Sequence, residues 1–107
     1  MSNEAMLAHM VYFTLSEPTD ENIERLIQSC QEHLTGHPGT VLYAAGRLTP
    51  DLDRPVNDRE FHVALQLVFE SRNAHDQYQV SQRHQSFIAT NKDSWANVRI
   101  FDADVNA

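Results

Sequence analysis

One cysteine and only eight basic residues stand among the 107 residues of this chain, and each scarcity excludes a class of protein. Cys30 cannot form a disulfide within the chain, so a disulfide-stabilised secreted fold is excluded and we expect a reducing, cytoplasmic location. Fifteen acidic residues outnumber the basic ones, which gives a formal net charge of −7. That charge repels the phosphates of nucleic acids and anionic membranes, so we expect neither as a partner.

The sequence also lacks any apolar run close to the roughly 20 residues that span a bilayer. Its first segment, MSNEAMLAHM, has neither the basic start nor the long apolar centre of a signal peptide, so we expect none. The length predicts a single domain over residues 1–107, with its core at about residues 6–105. A chain this short buries only about two thirds of its unfolded surface, so burial of a further face between subunits favours an oligomer.

The first element that the sequence predicts is a strand with two apolar faces. Residues Met6–Leu15, MLAHMVYFTL, are rich in β-branched and aromatic side chains, and both alternating sets are largely apolar. One face can pack against the chain's own helices. In so small a protein the other face needs a second subunit, so this strand predicts a dimer.

The segment Asp20–Thr35 has apolar residues at helical spacing and predicts an amphipathic helix that Gly36 ends. Cys30 lies on the apolar stripe, which favours a buried packing residue over a reactive thiol. His33 and His37 are four residues apart, as metal ligands on a helix can be. Because Gly36 interrupts the helix between them and no third ligand is nearby, we expect no metal site.

Three further strands are predicted along the chain. Thr40–Thr49 forms one of them, and Pro50–Asp58 after it is a polar surface loop. Arg59–Glu70 alternates between an apolar face, which should meet the helices, and a mixed face suited to a subunit interface. Asn97–Asp104 forms the last strand. The apolar face of Arg59–Glu70 consists of Phe61, Val63, Leu65, Leu67 and Phe69.

The segment Ser71–Trp95 holds the only tight grouping of side chains that can do chemistry. Ser71 and Ser81 are suited to cap two successive short helices, because a hydroxyl accepts from the exposed amides of the following turn. Helical spacing directs Tyr78 and His84 inward. The order strand, helix, strand, strand, helices, strand predicts an α+β, ferredoxin-like βαββαβ fold, with an antiparallel sheet and its helices on one face.

Five segments together resemble the stress-responsive A/B barrel (Dabb) family. They are HMVYFTL near the start, HPG at 37–39, FHVALQLVFES at 61–71, AHDQYQVSQRHQSF at 74–87 and WANVRIFD at 95–102. The likeness covers nearly the whole chain. It implies a ferredoxin-like fold and a homodimer in which two sheets form an α/β barrel, in agreement with the two-faced first strand.

The same resemblance implies a candidate site. Some plant members are polyketide cyclases in which a tyrosine and a histidine six residues later work as a pair, and Tyr78 and His84 have that spacing. By the same matching, the pocket wall includes His9, Val11, Phe13, Leu65, Leu67, Trp95, Val98 and Ile100. Strand alternation already directs these faces toward the helices.

Three functions stay open. In the first, the domain binds a small apolar or aromatic molecule. In the second, His84 removes a proton from an acidic carbon while Tyr78 stabilises the oxyanion, without metal or cofactor. In the third, the two side chains are a hydrogen-bonded pair in a structural or stress-protective dimer. An open cavity at the pair favours the first two, and a filled one favours the third. The sequence offers no candidate haem ligand beyond isolated histidines, which disfavours a haem or quinol monooxygenase.

Overall fold

A computed structural model of the chain describes residues 5–106. Residues 1–4 and 107 lie outside it. The expectation that no signal peptide begins at residue 1 therefore falls partly outside the described residues. The strands and helices are β1 (Met6–Leu15), α1 (Asp20–His33), β2 (Thr40–Arg47), β3 (Val63–Phe69), α2 (Arg72–Val80), α3 (Gln82–Asn91) and β4 (Trp95–Val105). A 3₁₀ turn, Lys92–Ser94, joins α3 to β4. Within residues 5–106, no helix is long and apolar enough to cross a membrane.

The four strands form one antiparallel sheet in the order β2-β3-β1-β4. In this register His9 on β1 lies between Leu67 on β3 and Asp102 on β4, and Val11 lies opposite Leu65. Because side chains alternate along a strand, these residues share one face of the sheet. The three helices pack on that face, so the prediction of an α+β, ferredoxin-like fold is confirmed.

The core lies between the sheet and the helices. Its largest fully buried side chains come from β1, β3 and the α1 region, and include Phe13, Phe69, Leu26, Leu34, Leu65 and Leu67. Cys30 has no exposed surface, as predicted, and burial raises the pKa of its thiol to about 12. The turn before β2 packs closely on α2 at Gly39, which has φ +82° and where an added Cβ would lie 2.5 Å from the Cβ of Ala74. Only glycine meets both demands there.

Three strand predictions need correction. The second strand ends at Arg47 rather than Thr49. The third strand begins at Val63 rather than Arg59, since only from Val63 does it pair with β1. Phe61 lies outside the strand, so it does not join the helix-facing side as predicted. It packs against Tyr12 on the face away from the helices, with 4.9 Å between ring centroids. The last strand begins at Trp95, two residues before the predicted start.

Residues on β4 are less buried than predicted because β4 is an edge strand. Ile100 shares the face of Val11 but leaves 54% of its surface exposed. Trp95, a predicted member of the pocket wall, is half-buried at the start of the strand. Its ring still contacts Phe13 and Phe87, with centroids 5.0 and 5.8 Å away.

None of the helices within residues 5–106 packs on the second face of the sheet. Met10 and Tyr12 lie there half-buried, and Phe101 beside them is 54% exposed. Gln66 is exposed, and His62 accepts a hydrogen bond at Nδ1 from the backbone N–H of Leu15 over 3.0 Å. These are largely the residues that the alternation assigns to a subunit interface.

Candidate functional site

The junction of α2 and α3 positions both predicted site residues. Ser81 has extended backbone angles there and separates the two helices. Its hydroxyl donates to the carbonyl of Tyr78 over 2.8 Å, and the same oxygen accepts from the N–H of His84 over 3.2 Å. Ser71 caps α2 by accepting from the N–H of Ala74, so both predicted caps are confirmed. One serine therefore holds the backbones of Tyr78 and His84 in fixed relation.

The rings of Tyr78 and His84 meet edge to face. Their centroids are 4.7 Å apart and their planes make an angle of 66°. Tyr78 is only 2% exposed, while His84 is half-buried. Phe69 and His37 each lie 5.0 Å from the tyrosine ring, so aromatic rings pack around it. The pair is packed as aromatic side chains are in a core.

The His84 ring is well packed, but one of its nitrogens lacks a hydrogen bond. Nδ1 is buried and has no hydrogen-bond partner within residues 5–106. Burial lowers the pKa of His84, and the nearby His9 and His37 lower it further, while the carbonyl of Gln79 opposes them. The imidazole is therefore neutral near pH 7. A neutral imidazole can accept a proton or a hydrogen bond.

The sequence gives no sign that Tyr43 belongs to this region. It lies on the helix-facing side of β2, opposite Leu67, and its hydroxyl is buried without a partner among the described residues. Burial, followed by the nearby Cys30, raises the pKa of Tyr43 to about 12. Burial, and then Cys30 and Tyr43, likewise raise the pKa of Tyr78. Both phenols therefore stay protonated at neutral pH and can donate hydrogen bonds.

The predicted pocket wall divides by depth. On the helix-facing side of the sheet, the buried members are His9, Val11, Phe13, Leu65 and Leu67. Val98 and Trp95 are half-buried at its side, and Ile100 lies largely outside. His9 is near the pair, with its ring centroid 6.0 Å from that of Tyr78.

Two cavities among residues 5–106 lie away from the predicted pocket. One of about 470 Å³ runs beside α1 and is bordered by residues that include Ser29, His33 and Asn91. Another, of about 270 Å³, opens on the helix-free face of the sheet and is bordered by Tyr12, Asp58, Phe61, Arg99 and Phe101. Neither is bordered by Tyr78 or His84. The side chains at the predicted pocket contact one another, and this filled packing by itself favours the structural function. The unpaired polar atoms of His84 and Tyr43 are the observation that favours binding.

His9 has polar partners that sequence reasoning did not find. Its Nδ1 donates to Asp102 Oδ1 over 2.5 Å, and the amide nitrogen of Gln79 lies 3.4 Å from its Nε2. Burial lowers the pKa of His9, while the bond to Asp102 opposes that effect. The only available signal is the pairing of β1 with β4, which sets Asp102 directly opposite His9.

The histidines considered as metal ligands from their spacing do not act as a pair. The His33 ring bonds to Ser29 on its own helix, and the His37 ring donates from Nε2 to the backbone carbonyl of His33 over 2.8 Å. His37 is buried against Tyr78. Both rings are thus engaged in local contacts.

Comparison with known proteins agrees with this architecture. A dabb family protein with a ferredoxin-like fold from Mesorhizobium loti superposes with a TM-score of 0.79 at 18% identity, covering 97% of this chain and 100% of that one. A dimeric ferredoxin-like protein of unknown function from Thermobifida fusca gives 0.78 at 15%, covering 98% and 95%. Hydroxynitrile lyase from Passiflora edulis gives 0.75 at 18%, covering 95% and 94%.

Identities this low show the fold alone. The comparison with curated proteins found no match. The family model of the stress responsive A/B barrel domain matches residues 7–105, which include every strand and helix described above except the first residue of β1. This chain belongs to the stress responsive A/B barrel domain (Dabb) family.

Proposed function

We propose that this domain binds a small, mostly apolar molecule with one polar group at Tyr78 and His84. The observation that carries the proposal is the buried, unpaired Nδ1 of His84 beside the ring of Tyr78. A buried polar atom without a partner costs about 1–3 kcal/mol, so a position that needed only packing would be better filled by an apolar ring. A ligand oxygen or N–H that pairs with Nδ1 removes that cost.

The surroundings suit such a ligand. The hydroxyl of Tyr43 is a second buried polar atom without a partner among the described residues, and the wall behind it is formed by apolar side chains of β1 and β3. Apolar walls with a few fixed polar groups are typical of small-molecule sites. Phenols and aromatic ketones combine an apolar ring with one polar group, so they are the ligand class that we propose to test.

Entry to the site requires movement of a side chain, because the rings around Tyr78 are in contact. His84 is the more exposed member of the pair, since it is half-buried while Tyr78 is buried. We infer that rotation of its ring admits the ligand. Nδ1 has no hydrogen bond within residues 5–106 for that rotation to break.

Proton transfer is the second candidate function, and the protonation states favour it. The lowered pKa of His84 leaves a neutral imidazole, and the raised pKa of Tyr78 leaves a phenol that can donate. The proton of an acidic C–H or O–H group would move to His84, and the negative charge left on the substrate oxygen would accept a hydrogen bond from Tyr78. No cofactor is required. The hydroxynitrile lyase from Passiflora edulis is an enzyme with the same fold.

The domain acts as a homodimer in this proposal. The helix-free face of the sheet carries Met10, Tyr12 and Phe101 together, with Phe101 more than half exposed. Similar structures from Thermobifida fusca and Bacteroides fragilis are described as dimeric. A second copy covering this face would bury these rings and the cavity beside them. A cytoplasmic location also belongs to the proposal, supported by the lone cysteine, Cys30.

The ligand proposal is tested by nitrogen NMR of the histidine side chains during titration with small phenols and aromatic ketones. Binding at the site moves the ring resonances of His84 and leaves those of His33 in place. His33 is a suitable control because its Nδ1 bonds to the carbonyl of Ser29 on its own helix. A panel that leaves His84 unmoved at millimolar concentrations, or moves both histidines equally, contradicts the proposal.

A further inference from the structure

Two histidines on different elements present the same ring edge to one point. His9 on β1 and His75 on α2 have ring centroids 5.1 Å apart. Each ring has a carboxylate at Nδ1, Asp102 at 2.5 Å from His9 and Asp76 at 3.0 Å from His75. A carboxylate accepts, so Nδ1 carries the proton in each neutral ring and Nε2 keeps its lone pair.

The two lone pairs converge on the side chain of Gln79. Its amide nitrogen lies 3.4 Å from Nε2 of His9 and 3.4 Å from Nε2 of His75. One ligand atom from each of His9, His75 and Asp102 lies within 4.8 Å of the others. Zinc–nitrogen bonds of about 2.0–2.1 Å place two imidazole nitrogens within about 4 Å of each other, so a bound ion would draw both Nε2 atoms toward the position that the Gln79 amide nitrogen holds.

We propose that His9 and His75 bind one divalent transition metal ion through their Nε2 atoms. Gln79 turns its amide so that Oε1 becomes a third ligand, and water completes the coordination. Asp102 and Asp76 act as positioning residues, since a carboxylate at the distal nitrogen of a metal-bound imidazole fixes the ring and raises its basicity. Imidazole ligands select the zinc, copper and nickel class over calcium and magnesium, which prefer oxygen.

Charge and access support this site. Asp76 also accepts from the guanidinium of Arg72, so its charge is balanced, whereas Asp102 accepts from the neutral His9 ring and its negative charge has no cationic partner among the described residues. The Asp102 side chain is 45% exposed at the edge of the sheet and the His75 side chain is 13% exposed, so solvent reaches the edge of this cluster. The net charge of −7 attracts cations to the surface.

The test is calorimetric titration of chelator-treated protein with ZnCl₂, together with the visible absorption of the Co²⁺ complex. We expect one Zn²⁺ ion per chain. His75→Gln should lower the affinity for Zn²⁺ by more than about 100-fold, and Asp102→Asn by about 10–100-fold, the range for an orienting carboxylate. His33→Gln is the matched control, a partly buried histidine on α1 that should bind Zn²⁺ like the wild type.

Absence of Zn²⁺ binding by the wild type at micromolar concentrations overturns the proposal. So does an equal loss in His33→Gln and His75→Gln, which would indicate general surface binding. If His75→Gln does not fold, Asp102→Asn at the exposed edge of the sheet serves as the test. A Zn²⁺ affinity of Asp102→Asn equal to that of the wild type contradicts the site. Ligand binding at His84 is followed through a different ring, so either proposal can fail without the other.

Discussion

The ring of His84 lies edge-on against the ring of Tyr78, 4.7 Å between centroids, yet no hydrogen bond joins the two side chains. A purely structural pair would use its polar atoms on each other, because a satisfied buried pair stabilises and an unsatisfied one does not. The two rings pack as side chains do in a core, but Nδ1 of His84 has no hydrogen-bond partner among the described residues. A cost of this kind is typical of residues kept for function.

Replacing the His84 ring with an apolar ring should stabilise the folded chain. We expect His84→Phe to raise the free energy of unfolding by about 1 kcal/mol, because it keeps the edge-to-face contact with Tyr78 and removes the unpaired Nδ1. Urea denaturation measures the change. His33→Phe is the control and should cost about 1 kcal/mol, since the bond from His33 to Ser29 is lost. A loss of stability in His84→Phe would show that Nδ1 is paired in solution.

Acid should destabilise the wild type through His84. Burial lowers its folded pKa below the ordinary 6.5, so in that interval the unfolded chain binds more protons. The free energy of unfolding therefore does not suffer from this group above about pH 6.5. It decreases as the pH drops from there toward the folded pKa. Denaturation at pH 7.5 and 5.5 should show a smaller loss for His84→Phe than for wild type. Since His9, His37 and His75 face His84 in both proteins, equal losses would contradict this assignment.

The proposed dimer depends on the helix-free face. Wild type should sediment as a dimer at micromolar concentration, and Phe101→Glu should sediment as a monomer, because a carboxylate buried between two sheets has no partner. Val80→Glu is the matched control, an apolar residue on α2 that is 72% exposed away from that face, and should stay dimeric. Wild type found only as a monomer would exclude this interface.

Trp95 should contribute through its contacts rather than through its N–H. Trp95→Ala is expected to cost about 3 kcal/mol, the low end for a large aromatic residue, because the side chain is only half-buried. Trp95→Phe keeps the contacts with Phe13 and Phe87 and removes the buried, unpaired Nε1. We expect that second change to lie within about 1 kcal/mol of wild type. An unchanged melting temperature for Trp95→Ala would argue against a packing role.

Local patterns predicted the fold because each element carries its own signal. The spacing of Tyr78 and His84 together with the hydroxyl of Ser81 was enough to place two short helices and to direct both rings inward. The prediction for Phe61 is wrong because alternation in the sequence continues past the point where the strand stops pairing. The periodicity of a sequence indicates which face of a strand a residue lies on, but it does not indicate where the strand stops pairing with its neighbour.

Contacts between distant segments were not predictable in the same way. Asp102 lies 93 positions from His9, and only the pairing of β1 with β4 sets them side by side. The role of His75 likewise depends on how α2 lies across the sheet, which the turn at Gly39 permits. The exposure of Ile100 follows from the position of β4 at the edge, and strand order is not visible in the alternation of one strand.

The most direct test of the ligand proposal is native mass spectrometry of the purified wild type beside His84→Phe. We expect the wild type to carry, or to take up from a mixture of phenols and aromatic ketones, one small molecule per chain that the variant does not retain. The variant should remain a dimer in the same spectra, because residue 84 lies on the helical side of the sheet. Equal retention by both proteins, or no retained molecule in either, would contradict a binding site at Tyr78 and His84.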